Sequence, residues 1–279
     1  MLIGAFDFET TTVDVATTDV VQVAFVTNEI TEEPEPLERR EVERRAAEAR
    51  CYVPSIPIGA TAIHGIKAED VADRKPFVDQ VGALCKMLAR CDYVVTFNGL
   101  GFDVPILERF AARAGVDASF VRARHIDCYR LWKRVQRDNP VAACFSGGLA
   151  GAHYWATQRT FDGAHDALND CRATLRVRAA LQQWTLDPAI YGLADVLSRM
   201  VRASALPLPG YADVGERFKW VGDVLTVDFG KQYAGVDVAE VDEGFFRWML
   251  DGDFTDDTKR IVRSLLSGVY PARRYEDEV

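Results

Sequence analysis

Three short stretches hold residues able to do chemistry: Asp7-Phe8-Glu9-Thr10-Thr11, Asn98-Gly99-Leu100-Gly101-Phe102-Asp103 and His165-Asp166-Ala167-Leu168-Asn169-Asp170. In a strand, side chains at i and i+2 share one face, so Asp7 and Glu9 project together while Phe6 and Phe8 project to the other side. Two carboxylates a few ångströms apart repel, and a divalent cation between them turns that repulsion into ligation. Asp103 and Asp170 each stand near the start of a later helix-like run and add two more acids in apolar flanks. Burying such groups is costly unless a cation neutralises them. An oxygen-lined divalent-metal site is the outcome these types and spacings favour, and its chemistry is phosphodiester cleavage. His165 is the natural side chain for taking a proton from water at such a site.

Each piece taken singly has a plainer reading. Asp-x-Glu in a strand is usually a solvated face. Asp103, with Pro105 just behind it, could be a helix N-cap, and a lone histidine is more often a core or surface residue than a catalyst. The conjunction of all three is what points to chemistry.

The elements that must position these groups read as strands followed by helices. Leu2 to Phe8 and Val20 to Val26 are apolar runs of buried-strand type, and Cys51-Tyr52-Val53 before Pro54 is a candidate third strand. Pro76 opens a stretch with Phe77, Val78, Val81, Leu84, Cys85 and Leu88 on one helical face. Tyr93 to Phe97 is the next strand, Asn98-Gly99 a loop signal, and Asp103 to Ala114 a helix stopped by Gly115. Between strands two and three, Glu29 to Arg50 is dense in Glu and Arg. Pairs such as Glu41 and Arg45 fall at helical spacing, which reads as a solvated helix or mobile loop, with a substrate- or partner-touching arm as the functional alternative.

The bulk properties restrict the setting. The chain has 279 residues, 48% hydrophobic and 27% charged, ordinary for a globular protein with a substantial core. It contains no apolar run of the roughly 18 to 20 residues that would cross a bilayer, and no basic leader precedes the first motif. The six cysteines are scattered without a C-x-x-C pair. A reduced, cytoplasmic setting with no membrane partner is expected. The net charge of −9 argues against tight, extended duplex binding but not against an enzyme that holds only a chain end.

A second unit begins near Leu206, where Pro207, Pro209 and Gly210 break the preceding helix. Val224 to Gly230 reads as a strand into a turn. Phe245, Phe246, Trp248, Met249 and Leu250 form a compact helix-like cluster.

The three motifs resemble those of the DEDDh exonucleases, the DnaQ-like branch of the RNase H-like superfamily. Asp7 and Glu9 match the first motif, Asp103 the second, and His165 with Asp170 the third. Ala62-Ile63-His64-Gly65-Ile66 resembles a loop frequent in proofreading-type members, and Ile126-Asp127 resembles a strand end of the family. The spacing of five from Asn98 to Asp103 is that of family B polymerase exonuclease motifs, whereas the third motif keeps the histidine and spacing of the DEDDh branch. The C-terminal pattern, Phe229-Gly230-Lys231 to Gly235, then Gly244-Phe245-Phe246-Arg247-Trp248, Asp253 and Phe254, resembles the C-terminal region of exodeoxyribonuclease X-like proteins. Lys231 beside aromatics could contact a nucleic-acid strand there, against the plainer reading of an aromatic core with a lysine in a turn.

The resemblance implies an α/β fold: an RNase H-like mixed central sheet flanked by helices over residues 1–185. A helical linker over 186–210 and a small α+β module over 211–279 follow. It implies two divalent cations, Mg²⁺ with Mn²⁺ as alternative, with Asp7, Glu9 and Asp170 on one and Asp7 and Asp103 on the other. His165 then takes the proton of the attacking water. Thr10, Thr11, His64, Asn98 and Phe102 are candidates for gripping the terminal nucleotide. The implied reaction is 3′→5′ release of nucleoside 5′-monophosphates from single-stranded or frayed DNA ends. Alternatives are an exoribonuclease or oligoribonuclease of the same fold, a non-catalytic end-binding module, or a proofreading subunit with a polymerase or repair partner. Oligomeric state is left open.

Overall fold

The computed structural model describes residues 1–32, 39–185, 192–252 and 254–271. These fold as two compact units, Met1–Ser204 and Ala205–Val279.

The first unit is built on a five-stranded mixed sheet in the order β3-β2-β1-β4-β5. Its strands are β1 (Leu2–Thr10), β2 (Val20–Glu32), β3 (Arg39–Arg50), β4 (Tyr93–Thr96) and β5 (His125–Asp127). β1, β2 and β3 pair antiparallel, and β4 runs parallel to β1 and β5 parallel to β4. Helices cover both faces: α1 (Ile58–His64), α2 (Ala68–Val71), α3 (Phe77–Leu88), α4 (Asp103–Arg113), α5 (Phe120–Ala123), α6 (Cys128–Asp138), α7 (Leu149–Thr157), α8 (Ala167–Thr185) and α9 (Leu193–Ala205).

Alternation along β1 assigns its residues to two separate cores. Phe6 and Phe8 join Phe25, Phe77, Leu107 and Phe110 beneath α3 and α4. Ile3 and Ala5 join Val95, Ile126, Trp132, Leu175 and Met200 beneath α6, α8 and α9. A run of edge-to-face rings, Phe6–Phe8 at 5.4 Å, Phe8–Phe77 at 5.1 Å and Phe77–Phe110 at 5.1 Å, locks the strand end against both helices. Each such pair adds about 0.5–1.5 kcal/mol beyond the area it buries.

The charged stretch 29–50 is extended, not helical. β2 continues to Glu32 and β3 starts at Arg39, and residues 33–38 lie outside the described residues. The i, i+4 pairing of Glu41 with Arg45 therefore does not form. Instead Glu43 meets Arg172 at 3.0 Å and Glu41 meets the fully buried Arg178, both on α8. An irregularity opposite Thr27 and Asn28, where Arg45 pairs with one and Glu43 with the other, leaves Arg44 as the extra residue. That bulge keeps Glu41 and Glu43 on the helix-facing side along with Ala46 and Glu48. Periodicity failed here because the acids answer to a helix more than a hundred residues away. Cys51-Tyr52-Val53 is likewise not a strand: β3 ends at Arg50.

Helix α9 packs Leu193, Val196, Leu197 and Met200 into the core of the first unit, within the stretch expected as a linker; 186–191 lie outside the described residues. The second unit holds a hairpin of β6 (Phe218–Val221) and β7 (Val224–Val227), then α10 (Glu243–Asp251) and α11 (Asp256–Leu266). Its core gathers Phe218, Val227, Phe246, Met249 and Ile261. Asp253 lies outside the described residues. No helix among the described residues is long and apolar enough to cross a membrane.

Candidate active site

The catalytic candidates meet at the carboxyl ends of the parallel strands, where loops and helix starts converge in open α/β sheets. Asp7 and Glu9 lie at the end of β1, Asp103 opens α4 after β4, and Asp170 sits in the first turn of α8. Asp103 is not an N-cap: Phe102 holds that position and Asp103 is the first helical residue. Its Oδ1 instead accepts from the Phe8 backbone N–H at 3.2 Å, which ties the second motif to the first.

The electrostatics of the cluster are one-sided. Asp7 is pushed well above the ordinary carboxylate range, first by burial and then by Asp103, Asp170, Glu9 and Asp166. Glu9 rises to about 8, through burial and then Asp170 and Asp103. Asp103 rises to about 7 through burial, which outweighs its bond from Phe8. Asp170 also rises to about 7 through burial. Among the described residues, the charges that raise Asp7 and Glu9 are other carboxylates. The Oδ1 atom of Asp170 is buried with no hydrogen-bond partner.

His165 is exposed and adopts φ 64°, unusual for a residue with a Cβ and a mark of local constraint just ahead of α8. A ring nitrogen of His165 and carboxylate oxygens of Glu9 and Asp170 all lie within 4.8 Å of one another. These atoms could hold a cation: the donors are hard oxygens with one imidazole, and the unpartnered Asp170 oxygen is an open ligand position.

The weaker candidates separate. His64 ends α1, a helix where the sequence suggested a loop, with Gly65 as its left-handed cap. Its Nδ1 accepts from the Ile66 N–H at 3.0 Å. Burial lowers its pKa, the Thr10 backbone opposes that, and His165 adds to the lowering. His64 and Thr10 thus stand beside the cluster. Thr11 shares a hydroxyl bond with Thr18 at 3.3 Å, Asn98 is exposed at φ 66°, and Phe102 packs at the edge of the phenylalanine core.

Two functional features escape the sequence. Asp166 caps α8 by accepting from the Asn169 N–H at 3.0 Å, and it is also a fifth carboxylate acting on Asp7, Glu9 and Asp170. Its place one residue after His165 was the available signal. The loop carrying Asn98 is held from β5. Buried Asp127 accepts from the Asn98 and Leu100 N–H groups, both at 2.9 Å, and from Tyr129 N–H at 3.0 Å. Thr96 Oγ1 accepts from the Gly99 N–H at 3.1 Å and shares a hydrogen bond with His125 Nε2 at 2.8 Å, and burial lowers the pKa of His125 to about 4. A Cβ at Gly99 would stand 2.1 Å from that hydroxyl, so only glycine fits.

Sheet order and site position together define an RNase H-like α/β nuclease fold. The family model for exonuclease of the RNase T type matches residues 5–178, more than half of the chain. The chain belongs to that exonuclease family. Similar solved structures include E. coli exonuclease I in complex with a dT13 oligonucleotide, with 16% identity and TM-score 0.57 over 91% of this chain and 60% of that one. A zinc-bound E. coli exonuclease I–ssDNA complex shares 16% identity, with TM-score 0.53 over 66% of this chain and 40% of that one. A moderately thermophilic exonuclease I from Methylocaldum szegediense shares 17%, with TM-score 0.52 over 70% and 42%. These likenesses are of fold, and this chain spans at most about three fifths of the exonuclease I chains named here. No curated protein sequence matches it.

Proposed function

We propose that this exonuclease-family chain is a divalent-metal-dependent 3′→5′ exonuclease, with DNA ends, single-stranded or frayed, as favoured substrate and nucleoside 5′-monophosphates as product. One observation carries this reading: four carboxylates from three distant segments crowd together, and among the described residues the charges that raise Asp7 and Glu9 are all carboxylates. Such a cluster holds stability in reserve until a cation neutralises it.

In this reading Asp7, Glu9 and Asp170 hold one cation, and Asp7 with Asp103 a second; Mg²⁺ is favoured and Mn²⁺ is the alternative. Bound there, the cations would supply charge neutralisation and polarise the phosphate. The chain's own residues do the rest. His165, beside Glu9 and Asp170, accepts the proton of the attacking water. The Phe8 N–H holds Asp103 in its orientation. His64 and Thr10 lie together near the end of β1, which supports a role in gripping the terminal nucleotide. Asn98, Thr11 and Phe102 belong to the same proposal as second contributors. The oligonucleotide complexes of the exonuclease I structures support a single-stranded DNA ligand for the fold. The C-terminal unit we read as an exodeoxyribonuclease X-like module, and a cytoplasmic setting with a polymerase or repair partner as part of the same proposal.

The test is incubation of purified protein with 5′-labelled DNA and RNA oligomers in Mg²⁺, in Mn²⁺ and in EDTA. Metal-dependent laddering from the 3′ end is expected, faster on DNA. A faster RNA ladder would make the chain an exoribonuclease. No product from either polymer would leave an end-binding module as the better reading.

A further inference from the structure

A cleft of about 510 Å³ opens beside the carboxylates, with Arg50, Arg74 and Lys75 as its cations and Glu48, Asp73 and Asp166 as its acids. Asp166 belongs to both places, since it also acts on Asp7, Glu9 and Asp170. The sheet register fixes the relation between them. Glu9 pairs with Gln22 across β1 and β2, and Gln22 pairs with Arg50 across β2 and β3. The three side chains therefore stand in one row on one face. Neighbouring strands lie about 4.8 Å apart, so the Arg50 backbone is about 10 Å from that of Glu9. That distance is short enough for a single strand to cross within a few nucleotides.

The cations of this cleft are weakly engaged. Lys75 is exposed and has no ion pair among the described residues. Among the described residues Arg74 pairs with its exposed neighbour Asp73, at 3.2 Å, and Arg50 reaches Asp70 at 3.8 Å. Exposed pairs of this kind contribute little and exchange readily for a ligand. The cleft's Glu48 is instead occupied by Gln22 Nε2, which donates to it at 3.1 Å and to Asp166 at 3.4 Å. Gln80 Nε2 donates to the Lys75 carbonyl at 2.8 Å and to the Arg50 carbonyl at 3.4 Å, and the Tyr52 N–H donates to the Lys75 carbonyl at 3.0 Å. Backbone carrying two of the three cations is thus bound together before any ligand arrives, which lowers the ordering cost of binding.

We propose that Arg50, Arg74 and Lys75 form a phosphate track that holds single-stranded nucleic acid to the 5′ side of the scissile bond. The proposal rests on the exonuclease reading above. Glu48, Asp73 and Asp166 balance the three cations in formal charge, so the hold on phosphate is by local contact with Arg50, Arg74 and Lys75 and not by a field of the whole cleft.

The experiment compares wild type with Lys75→Ala, Lys75→Arg and the double variant Arg50→Gln/Lys75→Ala on a 12-mer and on a dinucleotide. On the 12-mer the double variant should raise KM ~10-fold with kcat within ~2-fold. Its log KM against log salt should flatten by about 1.4, about 0.7 for each phosphate of a single strand that is no longer neutralised. Lys75→Arg should recover most of the Lys75→Ala loss. The dinucleotide is too short to reach the track, so its loss should be much smaller. Fluorescence anisotropy of a labelled dT12 in EDTA should show the same ~10-fold loss of affinity without turnover. Lys75→Ala alters an exposed side chain and carries the test if the double variant fails to fold. Unchanged affinity and salt slope on the 12-mer, or an equal loss on the dinucleotide, would overturn the track. A wild type that cleaves nothing in either metal would overturn the exonuclease reading itself, which the variants do not enter.

Discussion

The two faces of β1 have opposite energetics. On one, Phe6 and Phe8 are buried in a run of edge-to-face rings that reaches α3 and α4. On the other, Asp7 and Glu9 are pressed among carboxylates until their pKa values climb out of the usual range. Adjacent residues of one strand thus stabilise the fold and burden it. A strand end held by Phe8 can tolerate the crowding that Asp7 and Glu9 need to present oxygens to a cation.

Substitutions on the two faces should fail in different ways. Asp7→Ala should lower turnover at least ~1,000-fold, a loss of about 4 kcal/mol of transition-state stabilisation, while thermal melting in EDTA stays equal or rises. Retained activity would remove Asp7 from the site. On the other face, Phe77→Ala should cost about 3–5 kcal/mol in chemical denaturation through lost burial and a cavity. Residual activity of whatever remains folded should stay near wild type. If its stability were unchanged, the ring run would not be what anchors β1.

A pH series sharpens the contrast. Glu9 moves from 4.5 to about 8, and Asp103 and Asp170 from 3.8 to about 7. Between pH ~4 and ~8 the native state therefore binds more protons than the unfolded chain, and the free energy of unfolding falls as pH rises. Metal-free protein should lose stability steadily across this window, and Glu9→Gln should flatten the loss. Mg²⁺ should restore stability most at the alkaline end, where its ligands are ionised. A metal-free profile that rises with pH would contradict the unneutralised cluster. The smallest effect is expected at Asp127→Asn, which removes one acceptor from the Asn98–Leu100 loop: about a tenfold fall in kcat/KM, with the fold retained on melting.

The legible parts of this chain were those governed by neighbours in sequence. Alternation in Asp7-Phe8-Glu9 sorted acids from rings correctly, and the apolar spacing after Pro76 gave α3 from Phe77 to Leu88. The stretch from Glu29 to Arg50, which holds the end of β2 and all of β3, was read as a solvated helix or mobile loop because Glu41 and Arg45 satisfy helical spacing equally well. Only the pairing of Glu41 and Glu43 with α8 chooses the extended form. The cap role given to Asp103 failed similarly: its carboxylate is taken by a backbone N–H from β1, ninety-five residues away.

The sequence by itself determined the kinds of group present and the face each must take, because strand and helix periods are local properties of the backbone. It also carried the three motifs on which the resemblance to DEDDh exonucleases rests. Tertiary structure decided which groups share a space. Asp166 became a fifth acid of the cluster, Asp127 the anchor of the second-motif loop, and Arg50 a neighbour of Glu9 one strand removed. These relations depend on strand register and on where helices start above the sheet, and both are settled by burying distant side chains together.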